Sequence, residues 1–169
     1  MDKTELWQKR ISNISVSSST VRGQPKLTVQ SIRDFLIELD LSQFENIDEQ
    51  DSFGKILDEL TYKLMNRMPS GKFGFARKCL NIFLLEITHN TILVGKYKLD
   101  KLIPFLEVPI DNPNEKELRK QAKEVNWQWK SIKDLQSEDN RKIQVFTKDF
   151  MLDTHHLERV YFDLINWRK

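Results

Sequence analysis

The stretch Ser70–Asp111, SGKFGFARKCLNIFLLEITHNTILVGKYKLDKLIPFLEVPID, decides how the rest of the chain is read. It opens on a glycine-punctuated basic turn and runs into the most apolar helical pattern in the sequence. Ala76, Cys79, Leu80, Phe83, Leu84 and Ile87 form a wide stripe, and a stripe that wide suits a central helix packed on several sides. The spacing predicts one helix from Ala76 to about Leu93, ended by Gly95, with a short piece over Lys101–Leu106 bent by Pro104. Two residues look misplaced for packing alone. Lys78 falls at the start of the buried helix, and Asp111 falls at the N-terminal edge of the next one. An amine held against apolar surface loses solvation of its charged form and becomes a usable nucleophile. Lys78 and Asp111 are therefore read as a catalytic pair.

Outward from this stretch, the upstream chain reads as four segments. Met1–Arg10 has the look of a short helix, while 11–27, with its serine run and Gly23-Gln24-Pro25, reads as irregular and flexible. Thr28 then caps a helix bearing Val29, Ile32, Phe35, Leu36 and Leu39, and Ser52 caps another bearing Phe53, Ile56, Leu57, Leu60 and Leu64. Pro69-Ser70-Gly71 stops it. Downstream, Asn112-Pro113-Asn114-Glu115 is a helix start, and that helix is expected to reach Trp127 and Trp129. Gln136–Asn140 reads as a polar loop, and Ile143, Val145, Phe146, Phe150 and Met151 mark a further helix. A last helix is expected from Thr154 to about Trp167, with Leu157, Val160, Tyr161, Leu164 and Ile165 inward.

Strand alternation, internal repeats, zinc-ligand spacing and a phosphate-cradling glycine loop are all missing from the sequence. The expectation is one all-α domain over residues 1–169, with about seven or eight helices. Hydrophobic residues at 39% and charged residues at 31% argue against wholesale disorder. No apolar run approaches a membrane span, and MDKTELWQKR carries no apolar signal region. Cys79, the single cysteine, has no internal disulfide partner. These features favour the cytoplasm, and the chain is expected to be a monomer. The formal net charge of +2 permits nucleic-acid binding without arguing for it, so what counts is the cluster Arg67, Lys72, Arg77 and Lys78 around one turn.

Gly74-Phe75-Ala76-Arg77-Lys78 resembles the hairpin of the helix-hairpin-helix DNA glycosylases, in which a Gly-x-Gly-x-Lys turn leads into an apolar helix. Val108-Pro109-Ile110-Asp111 resembles the segment that ends in that superfamily's catalytic aspartate. The 33 positions between Lys78 and Asp111 are similar to the spacing in the archaeal GO glycosylases, which remove 8-oxoguanine. Asp163 and Trp167, four apart near the C-terminus, resemble that family's Asp-x-x-x-Trp pair, which contacts the extruded base. Ala76 departs from the pattern, standing where the hairpin has its second glycine.

The resemblance covers roughly Phe53–Lys169 and implies base excision on double-stranded DNA containing a damaged base, with strand cleavage by a lyase step. Lys78 would be the nucleophile and Asp111 its partner. Asp163 and Trp167 would hold the base, with Gln24 as an amide reader and Trp7 as an aromatic wall. Lys72, Gly74 and Arg77 would meet the DNA backbone. Neither metal nor organic cofactor is implied. Two other readings stand beside this one: a non-catalytic helix-hairpin-helix DNA-binding module, and a helical protein-interaction domain in which Lys78 and Asp111 are only an ion pair.

Overall fold

The computed structural model describes residues 2–17, 20–21, 23–122, 125 and 129–166. Every regular element among them is helical. The α-helices are α1 (Lys3–Ser15), α2 (Lys26–Glu38), α3 (Gln50–Arg67), α4 (Phe73–Thr88), α5 (Thr91–Tyr97), α6 (Asn112–Gln121), α7 (Ser137–His155) and α8 (Phe162–Asn166). Short 3-10 turns cover Leu41–Phe44, Leu99–Phe105 and Arg159–Tyr161. Among the described residues no helix is long and apolar enough to cross a membrane.

The central helix is α4, as its stripe requires. Cys79, Leu80, Phe83, Leu84 and Ile87 are fully buried, and α1, α2, α3, α5 and the Leu99–Phe105 turn all pack on it. The Cys79 thiol is pushed up to about 12 by burial, which leaves it a small apolar side chain. Helix α3 presents Phe53, Leu57, Leu60 and Leu64 to the same core.

Several boundaries depart from the sequence reading: Thr28 and Ser52, expected as caps, lie inside α2 and α3, and α6 ends at Gln121, short of Trp129. Helix α1 continues past Arg10 to Ser15. Ile11, Ser12 and Ser15 are buried, and Ser12 satisfies its hydroxyl by donating to the Gln8 carbonyl at 2.8 Å. Gln8 in turn lays its side-chain amide over the carbonyls of Leu36, Ile37 and Leu39 at the end of α2. Such carbonyls have no partner within the helix, and here another helix supplies one. The expected helix from Ala76 to Leu93 is two helices, because Asn90 turns its side-chain oxygen onto the Leu93 N–H at 3.1 Å and caps a new start. Gly95 lies inside α5, and Lys98, at φ 53°, ends it.

Helix α7 already includes Ser137–Asn140, with Asn140 and Gln144 buried one turn apart. It then runs to His155 and stops at His156, which is left-handed at φ 54°. That turn resets the helical phase. Val160, Phe162, Asp163 and Asn166 face inward, whereas Leu157 and Leu164, expected inside, are 41% and 54% exposed. Trp127 and Trp167 lie outside the described residues.

The apolar interior has two parts. One gathers α1 to α5, and the other gathers Phe73, Val108, Ile110, Leu118, Trp129, Leu135, Ile143, Met151 and Phe162. The extended strap Leu106–Asp111 links them, with Leu106 in the first part and Val108 and Ile110 in the second. Its backbone is held by distant side chains. Arg159 donates to the carbonyls of Phe105 and Leu106, and Gln144 bonds both the N–H and the carbonyl of Val108, each at 2.9 Å. Asn114 donates to the Pro109 carbonyl at 2.9 Å.

Candidate active site

The strap ends on Asp111, which caps α6: its Oδ1 accepts from the Asn114 N–H at 3.0 Å, and Pro113 occupies the first turn. Asn114 is itself buried at 1% exposure, and its side-chain amide donates to Asp163 Oδ1 at 2.6 Å. Asp163 stands on α8, 9% exposed. Burial raises its pKa and the Asn114 bond lowers it; Asp111 pushes it up again, Lys78 pulls it down and Glu86 adds a smaller upward push. The net direction is up. A buried carboxyl under opposed influences from an amine and a second carboxyl is a common sign of a functional site.

Lys78, half-buried on α4, completes the group. Its Nζ donates to the Thr20 carbonyl at 3.0 Å, which ties α4 to the segment between α1 and α2. Lys78 and Asp111 thus both act electrostatically on the same buried carboxyl, although α4, the strap and α8 are far apart in sequence. Gln24 lies half-buried on the segment that holds Lys78, its N–H bonded to the Val21 carbonyl at 3.0 Å. Trp7 is 39% exposed on α1, with the Arg10 guanidinium 5.7 Å from its ring centre.

The basic turn needs correction. Arg77 does not face solvent or a phosphate. Its side chain is 6% exposed and makes a two-pronged pair with Glu107, both contacts at 2.8 Å. It also reaches Asp58 at 2.9 Å and the Thr61 hydroxyl at 2.8 Å. Burial alone would raise the Glu107 pKa, but Arg77, Arg159 and Asn140 hold it below the usual carboxylate range. Asn81 and Asn140 fill the remaining positions on Glu107 Oε2, at 3.1 and 3.0 Å. This ionic cluster spans α3, α4, the strap and α7 and sits at the seam between the two parts of the interior.

Gly74 is not a turn glycine that opens the backbone to DNA. It is the second residue of α4 and buried, and a Cβ there would lie 2.0 Å from the Ile132 carbonyl oxygen. The glycine is required because the 129–136 segment docks against it. The left-handed residue of the turn is Gly71, at φ 53°. Lys72, exposed at the N-cap position of α4, is what remains of the expected backbone contacts.

A surface cleft of about 310 Å³ lies elsewhere, between α2, the Leu41–Phe44 turn and α3. It is bridged by the Arg67–Glu38 ion pair at 2.6 Å and contains none of the residues above. The charged convergence at Asp163 is the better candidate, because it combines an amine and carboxyls with burial.

No family model matches the chain, and neither a curated protein nor a solved structure matches it.

Proposed function

We propose that the chain is a DNA base-excision glycosylase with lyase activity, acting on 8-oxoguanine in double-stranded DNA through a Schiff base on Lys78. What supports this reading is that Lys78 and Asp111 both act electrostatically on the Asp163 carboxyl, which the buried Asn114 amide holds at 2.6 Å. The damaged nucleotide must leave the duplex to reach them. Asp163 then offers an acceptor to the N7 hydrogen that distinguishes 8-oxoguanine from guanine. Trp167 supplies a stacking face, with Gln24 and Trp7 as further base contacts. Lys72 meets phosphate at the start of α4.

The chemistry uses the chain's own groups. Lys78 attacks the sugar C1′ and the N-glycosidic bond breaks, the base leaving with its electron pair and taking a proton. Asp111 stabilises the positive charge developing on the sugar and receives a proton from the amine. Ring opening gives the Schiff base. Loss of a C2′ proton then expels the 3′ phosphate by β-elimination, and hydrolysis frees Lys78. The enzyme works as a monomer in the cytoplasm, associated with the nucleoid.

Borohydride reduction in the presence of an 8-oxoguanine duplex tests the proposal. Wild type is expected to give a trapped protein–DNA adduct, and Lys78→Gln to give none while retaining DNA affinity. Asp111→Asn is the sharper variant, because asparagine caps a helix as well as aspartate does. It is expected to melt at the wild-type temperature and to lose excision. DNA binding without any adduct from wild type would make the chain a non-catalytic DNA-binding module. Absence of DNA affinity at modest salt would make it a helical protein-interaction domain.

A further inference from the structure

Asn114 meets both carboxyls of the candidate site. Its main-chain N–H donates to Asp111 Oδ1 at 3.0 Å, and its side-chain amide donates to Asp163 Oδ1 at 2.6 Å and to the Pro109 carbonyl at 2.9 Å. The amide is buried, so water does not share these bonds. Asp163 lies 49 positions further along the chain. Asp111 would be capped by the same N–H whatever side chain stood at 114, but Asp163 would not be held. We infer that Asn114 is a positioning residue, fixing the Asp163 carboxyl against Asp111 and leaving one Asp163 oxygen for the base edge. The inference rests on the glycosylase reading for the purpose of that second oxygen.

The charged groups that act electrostatically on Asp163 are Asp111 at the start of α6 and Lys78 and Glu86 from α4. From the Arg159–Tyr161 turn packed on α8, Arg159 is committed to the carbonyls of Phe105 and Leu106, and the Tyr161 ring rests edge-on to His89. On α6, Glu115 is paired with Arg119. Asn114 is therefore the neutral donor in a neighbourhood with three carboxylates and one amine. Without it Asp163 would turn away or take up a proton, and a protonated carboxyl offers the base a donor in place of an acceptor.

Asn114→Asp and Asn114→Ala test this. The aspartate variant keeps the volume and replaces the donor by a third carboxyl between Asp111 and Asp163. Single-turnover excision of 8-oxoguanine is expected to fall by about a hundredfold in both variants, the scale for a misplaced contact. In Asn114→Asp it should recover as pH is lowered, because one facing carboxyl takes a proton and becomes a donor again. Asn114→Ala should show no such recovery. A loss independent of pH in both variants would reduce Asn114 to a packing role and overturn the inference.

The second measurement needs no catalysis: the side-chain carboxyl of Asp163 is titrated by carbon NMR in the free protein. Its midpoint is expected to move up in Asn114→Asp and in Asn114→Ala, and a midpoint unmoved in either overturns the inference. A moved midpoint together with a wild type that excises nothing keeps the Asn114 assignment and refutes the glycosylase reading.

Discussion

Replacing Arg77 by methionine separates a structural cation from a DNA-gripping one. The variant keeps the aliphatic volume but strips Glu107 of its two-pronged partner, leaving a carboxylate 11% exposed between the two parts of the interior. Breaking a buried ion pair on one side costs about 3–5 kcal/mol. Three features set the value at the low end of that range. Asn81 and Asn140 still donate to Glu107, Arg159 still attracts it, and Asp58, 40% exposed, is screened by water and loses little. A loss of about 3 kcal/mol lowers the melting temperature of a chain this size by about 6–12 °C.

The double variant Arg77→Met/Glu107→Leu removes the stranded charge and should lose less than the single one. The pH dependence should invert. In wild type the lowered pKa of Glu107 contributes stability that is present above the ordinary carboxylate range and lost as pH falls through its folded value. In Arg77→Met, acid instead relieves the unpaired carboxylate. Urea and thermal melts at pH 4 and 7 read all of this, and a loss under about 1 kcal/mol would refute the argument. If the chain is the glycosylase proposed above, the salt dependence of its DNA binding should be untouched by Arg77→Met, whereas Lys72→Ala should lower the slope by about one.

Gly74→Ala is expected to destabilise by about 1–3 kcal/mol in urea melts, because the new Cβ would lie 2.0 Å from a backbone oxygen that must then move. The control is Gly95→Ala, where nothing lies within 4 Å and a gain of about 0.5–1 kcal/mol follows from helix propensity; a loss at both positions would refute the steric account. Asp163→Asn should gain stability over wild type as pH rises. The raised pKa of Asp163 means that its ionisation costs stability above the ordinary carboxylate range, growing until its folded pKa is passed. Melting curves that stay parallel for the two proteins between pH 4 and 8 would count against a strained carboxyl.

The helices that were legible are those whose burial follows a single unbroken phase. Phe53, Leu57, Leu60 and Leu64 on α3, and Cys79 to Ile87 on α4, carry their own periodicity. The unread boundaries turn on local details: α1 runs on through buried Ile11, Ser12 and Ser15, Asn90 caps α5, and left-handed His156 rephases the C-terminal stretch. In the candidate site, Asp111 was visible because a cap is a local event. Arg77 and Lys78 were indistinguishable as charges, yet neighbours on a helix point about 100° apart. One faces Glu107 and the other Thr20. Asn114 was legible only as part of a helix start, since its bond to Asp163 joins residues 49 positions apart.

The strap Leu106–Asp111 has a bearing on aggregation. LIPFLEVPI, residues 102–110, is apolar, poor in charge and partly extended, the kind of segment that joins strands of other chains when it is freed. In the folded protein the Val108 N–H and carbonyl and the carbonyls of Phe105, Leu106 and Pro109 are occupied by side chains of Gln144, Arg159 and Asn114. Those groups have no edge left to offer. In the unfolded chain the protection falls to Pro104 and Pro109, which lack the N–H a ladder needs and interrupt the segment at both ends. A chain built this way keeps this apolar segment from pairing in either state.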